Sequence, residues 1–134
     1  MIKKFLKYWL PVFLWAGFIF YLSAVPNLNS GLVVFWDVFL RKLAHVTEFG
    51  ILFFLIFRAW RGYGLNFKKS LALGFILAIL YAFSDEAHQY FVAERQARLK
   101  DIAIDSLGVI LLSLGLIFLK LKRGNQAQRK NKSF

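Results

Sequence analysis

Four runs of apolar residues, each ended by basic or turn-forming residues, set the organisation of this chain. The first, Tyr8 to Val25, has no charged residue and stops at Pro26. At 1.5 Å per residue it covers about 27 Å, close to the hydrocarbon thickness of a bilayer. Pro11 falls in its first turns, where a missing N–H costs little. The basic start and Leu22-Ser23-Ala24 also fit a cleaved signal peptide, but the apolar run is longer than such a peptide needs. Pro26 to Gly31 is turn chemistry. Leu32 to Leu40 is apolar, interrupted by Asp37 and too short to span. It reads either as an interfacial or re-entrant segment lying over the bundle as a lid, or as an ordinary surface helix. The second, third and fourth spans are Leu43 to Trp60, Leu71 to Phe91 and Ile102 to Leu121. The pattern predicts an all-α integral membrane four-helix bundle with a short segment between its first two helices. Residues 1–121 would form that domain, and 122–134 a basic, disordered tail.

Composition agrees with a membrane class. The 134 residues are 59% hydrophobic and include 16 Phe, more apolar surface than one small soluble core can hide. No cysteine is present, which excludes disulfides, thiolate metal sites and a cysteine nucleophile. A net charge of +11 raises nucleic acid as a partner, but the basic residues bracket the apolar runs instead of forming one patch, so nucleic acid is not expected. Lys3, Lys4 and Lys7, then Arg58, Arg61, Lys68 and Lys69, and finally Lys120, Lys122, Arg123, Arg129, Lys130 and Lys132 outweigh the remaining two groups, Arg41 with Lys42 and Arg95, Arg98 with Lys100. The positive-inside rule therefore places both termini in the cytoplasm.

The charged residues inside the spans share one depth. Counted from the cytoplasmic ends, His45 lies about 22 Å from Trp60, Asp85 about 21 Å from Leu71 and Asp105 about 24 Å from Leu121. That level is in the outer leaflet of a core about 30 Å thick. Helical phase brings them to inner faces: Gly74, Ala78, Ala82, Asp85 and Gln89 form one stripe, Asp101, Asp105, Gly108, Leu112 and Gly115 another, and Lys42, His45 and Glu48 or Phe49 a third.

The plainer reading of these polar groups is glue between helices. Such contacts are worth about 0.6 kcal/mol on average, whereas a carboxylate at the membrane centre costs about 3 kcal/mol on the insertion scale. Five carboxylates at one level (Glu48, Asp85, Glu86, Asp101 and Asp105) exceed what glue requires. Held close together they cannot all ionise cheaply, which suits general acid or base work, shared with His45 or His88. Each histidine alone fits a structural role equally well. Arg41, Lys42, Arg95 and Arg98 at the rim suit a phosphate or carboxylate, or simply neutralise the acids. His45-x-x-Glu48, with Glu86 and His88 on another helix, also resembles N/O ligation, so a divalent metal on His45, Glu86 and His88 stays open. Ser23 and Ser84 are hydroxyl partners open to the site, but bonding to their own helix backbones is the favoured reading. Nothing matches a nucleophile elbow, a Walker loop or a dinucleotide fingerprint.

Taken in order, Lys42-x-x-His45, Asp85-Glu86-x-x-Gln89-x-Phe91, Arg95 and Asp101-x-x-x-Asp105-x-x-Gly108, with Ser23 and Pro26 after the first span, resemble the VanZ-like family of small bacterial membrane proteins. Asp105 stands where many members carry Asn. The resemblance implies a cytoplasmic-membrane protein tied to the cell envelope, the namesake being associated with resistance to the glycopeptide teicoplanin; it implies no settled mechanism. The leading expectation is an enzyme acting on a lipid-linked or phospholipid headgroup. Asp85, Glu86 and His45 would do acid–base work or hold metal, with Glu48 beside them. Lys42, His88, Arg95 and Arg98 would contact substrate, Gln89 and Asp101 would orient it, and Asp105 would support the group from below. A non-catalytic binder of an envelope precursor or amphiphilic antibiotic, and a structural partner in a membrane complex, are the rivals. Self-association into a homo-oligomer stays open.

Overall fold

The computed structural model describes residues 1–25, 34–92 and 99–132, and among these every regular element is a helix. The first span is two helices, α1 (Ile2–Tyr8) and α2 (Leu10–Ala24), bent by 41° at Trp9. Pro11 is the cause. It has no N–H to give the Lys7 carbonyl and its ring crowds that carbonyl, so the chain turns just before it. The freed Lys7 oxygen accepts instead from Arg58 Nη1 at 3.5 Å. The helix stops at Val25, which is extended (φ −78°, ψ 114°) as a residue before proline prefers to be.

Helix α3 runs Val34–Gly62 without a break. Residues 34–40 are therefore its first turns and not the separate lid that the short apolar stretch suggested, and Leu32 lies outside the described residues. The sequence from Val34 to Lys42 holds no helix breaker, and Asp37 pairs with Arg41 one turn later at 2.8 Å. At 29 residues the helix is about 43 Å long, more than the bilayer core needs. It closes through Gly64 in the left-handed region (φ 91°), where glycine is favoured.

Helix α4 (Phe67–Gln89) begins four residues ahead of its apolar run because the Asn66 side chain caps it, accepting from the Lys69 N–H at 2.9 Å. Helix α5 (Leu99–Lys132) continues as helix through the tail expected to be disordered. A helix already nucleated in the bundle propagates at little cost, and Gln126 to Lys130 contains good helix formers.

The helices alternate in direction. Ser23 at the end of α2 meets Asp85 near the end of α4, His45 near the start of α3 meets Asp105 near the start of α5, and at the other end Trp9 meets Trp60 and Lys120 lies over Phe67. The core between them is Ile19, Phe49, Leu52, Phe53, Ala78, Ala82 and Val109, all 1% exposed or less. Where α3 crosses α5 the backbones touch: a Cβ on Gly108 would overlap the Val46 carbonyl, and one on Gly50 would lie 3.3 Å from the Gly108 oxygen. Only glycine permits that approach. The outer faces carry Phe13, Leu14 and Phe18 on α2, Leu80 and Phe83 on α4, and Leu111, Leu114 and Phe118 on α5, all widely exposed, an apolar belt that only lipid would cover. Among the described residues three helices are long and apolar enough to cross a membrane, or four if the bent α1–α2 pair is one span. The protein is a multi-pass helical membrane bundle.

Candidate functional site

Four helices deliver polar side chains to one end of the bundle. Asp85 is 2% exposed, seated by the small-residue stripe Gly74, Ala78 and Ala82, all buried. Its Oδ2 accepts from Ser23 Oγ at 2.8 Å and from Gln89 Nε2 at 2.9 Å, and Gln89 Nε2 also lies 3.3 Å from Ser23 Oγ. Asp105, 1% exposed, stands with Oδ1 3.1 Å from Nδ1 of the partly covered His45. One potential ligand atom from each of His45, Asp85 and Asp105 falls within 4.8 Å of the others.

The group is not closed by its own hydrogen bonds. Asp85 Oδ1 and both oxygens of Asp105 are buried and have no hydrogen-bond partner among the described residues. His45 faces Asp105 at ion-pair distance. Two further long-range contacts fix the helices around the cluster. Tyr81 Oη donates to the Ala16 carbonyl at 2.6 Å, and Trp15 Nε1 donates to the Glu48 carbonyl at 2.9 Å. A carbonyl four residues from its own helical partner retains a lone pair for such a bond.

The other candidates take different places. Glu86 and Gln89 are buried (6% and 7% exposed), Glu48 is half-buried, and Asp101 is half-buried one turn before Asp105. Lys42 is exposed. His88 turns to α2, stacked on Phe20 with ring centroids 4.0 Å apart, and its Nε2 has no hydrogen-bond partner among the described residues. Among the described residues the set within metal-binding reach is therefore His45, Asp85 and Asp105, without the expected Glu86 and His88. Arg95 and Arg98 lie outside the described residues. Ser84 is exposed, whereas Ser23, expected to bond its own backbone, spends its hydroxyl on Asp85. The signal for Ser23 was present: counted from Tyr8 it lies at about 22 Å, the depth of His45 and Asp85. Tyr81 and Trp15 gave no such signal, because an aromatic residue in an apolar run reads as lipid-facing or core.

A membrane-embedded helical bundle with a buried carboxylate–imidazole cluster at one end is the class these features define. The VanZ/LLP1 family model matches residues 5–121. The chain belongs to that family, and no curated protein or solved structure matches it.

Proposed function

We propose that this VanZ-family protein modifies the headgroup of a membrane lipid or lipid-linked envelope precursor at the outer face of the bacterial cytoplasmic membrane, with both chain ends on the cytoplasmic side. The observation that carries this reading is the pair of carboxylates, Asp85 and Asp105, buried beside one imidazole with three of their four oxygens making no hydrogen bond. A cluster kept only for stability would be expected to saturate those oxygens, since each buried unsatisfied polar atom costs about 1–3 kcal/mol. Strain of this kind persists where a site must be ready for a ligand.

In a hydrolysis at a headgroup phosphorus, a water oxygen bonds to phosphorus and the bond to the leaving oxygen breaks. His45, positioned against Asp105, accepts the water proton, and a protonated carboxyl of the Asp85–Glu86 pair returns one to the leaving oxygen. Ser23 and Gln89 hold Asp85 in place, and the exposed Lys42, on the same helix as His45, offers a cation to the anionic group. The basic residues concentrated at the opposite membrane face support the orientation.

The test is comparative mass spectrometry of membrane lipids and lipid-linked precursors from cells expressing wild type or Asp85→Asn at equal membrane levels. The expected result is a headgroup change present with wild type and absent with the variant. Identical profiles would retire the catalytic reading. A precursor that copurifies unchanged with wild type only would replace the enzyme with a binder. Teicoplanin susceptibility of the same strains reads out whether the change bears on resistance.

A further inference from the structure

The electrostatics of the cluster do not close with the groups the chain supplies. Two carboxylates 2% and 1% exposed face one imidazole, and among the described residues no lysine or arginine lies within ion-pair distance of either acid. One oxygen of Asp85 is held by two donors, while the other and both of Asp105 receive none. Potential ligand atoms from three helices thus converge, with one imidazole facing two carboxylates.

We propose that His45, Asp85 and Asp105 form a binding site for a divalent transition-metal ion, zinc by preference. The 3.1 Å between His45 Nδ1 and Asp105 Oδ1 suits two ligands of one ion: at bonds of about 2.1 Å they subtend about 95° at the metal. The widest ligand separation allowed in the group, 4.8 Å, exceeds the roughly 3.4 Å between ligands of a tetrahedral ion, a difference that side-chain rotation takes up. One nitrogen and two oxygens favour zinc or manganese over calcium or magnesium, which take oxygen alone. A dication balances the two carboxylates. Ser23 and Gln89, bonded to one oxygen of Asp85, aim the other at the ion, the usual task of groups behind a ligand. Three protein ligands leave a coordination position for substrate, and a dication there polarises a phosphoryl or carbonyl oxygen. The site differs from one built on Glu86 and His88, because His88 is engaged with Phe20.

This inference rests on reading the cluster as a functional site; with the ion bound His45 would be a ligand and not the proton acceptor proposed above, and the test is independent of any reaction. Tag-free protein, purified in detergent without chelator and dialysed against ZnCl2, is analysed by inductively coupled plasma mass spectrometry. About one zinc per chain is expected for wild type and His88→Ala, with loss in His45→Ala and Asp105→Asn. Wild type alone gives a second readout: after chelation, ZnCl2 raises its thermal unfolding midpoint and MgCl2 does not. Ser23→Ala should weaken zinc binding by about 10-fold or more. Zinc below roughly a tenth of an ion per wild-type chain, or no shift on adding ZnCl2, overturns the site. Stoichiometric zinc without any headgroup change supports the metal site and rejects the catalytic reading. Headgroup turnover that persists in zinc-free protein does the reverse.

Discussion

The two ends of this bundle handle charge in opposite ways. At one end the cations stay outside and rings fill the space between helices: Lys4 lies 4.8 Å from the centre of the Tyr63 ring, Arg58 5.4 Å from that of Tyr8, and Trp9 meets Trp60 edge-on at 5.1 Å. Long basic side chains lay their stems on apolar surface and keep their heads in the headgroup region, so this arrangement costs little. At the other end the charges are inside. Asp85 and Asp105 are buried, and most of their oxygens lack donors. The first end explains how a short chain anchors itself in a bilayer. The second exceeds anything anchoring needs, and the proposed function rests on that excess.

The contrast can be broken, or sharpened, in the middle of the bundle and at either end. The largest effect is expected midway, at the α3–α5 crossing. Gly108→Leu forces a side chain into the Val46 carbonyl and should cost more than about 3 kcal/mol, read as unfolding in a denaturant titration followed by circular dichroism. Gly115→Ala, with nothing within 4 Å, should leave stability unchanged or raise it by about 0.5–1 kcal/mol. Next comes Ser23→Ala, which takes one donor from a buried carboxylate and should cost about 1.5–3 kcal/mol. Tyr81→Phe removes a bond between neutral groups and should cost about 1 kcal/mol in the same titration. If Tyr81→Phe proved the more damaging of the two, the Ser23 hydroxyl would not be the main hold on Asp85 described above.

Much of this was legible in the chain. The depth count placed His45, Asp85 and Asp105 at one level, and the three-or-four spacing of Gly74, Ala78, Ala82, Asp85 and Gln89 marked the buried face of α4. Both follow from the rise and pitch of a helix, which sequence alone determines. What failed depended on where helices stop. Asp37, Arg41 and Lys42 looked like a break between segments, yet charged residues interrupt an apolar run without interrupting a helix. The tail after Leu121 changes composition but holds no proline, so it remains helical to Lys132. Partners across helices were less legible still. That His88 would turn to Phe20 while His45 turned to Asp105 depends on helix rotation of the order of one residue, about 100°, and no spacing rule distinguishes the two histidines.

The central claim is that the buried acids at the far end are kept for work and not for stability. Measuring unfolding free energy and membrane headgroup composition together for Asp85→Asn and Asp105→Asn tests it most directly. The expected result is folded protein, with stability after chelation equal to that of chelated wild type or higher once a buried acid is gone, and the headgroup change abolished. Variants that unfold in step with any loss of activity, or that stay folded and leave headgroups as wild type does, would contradict it.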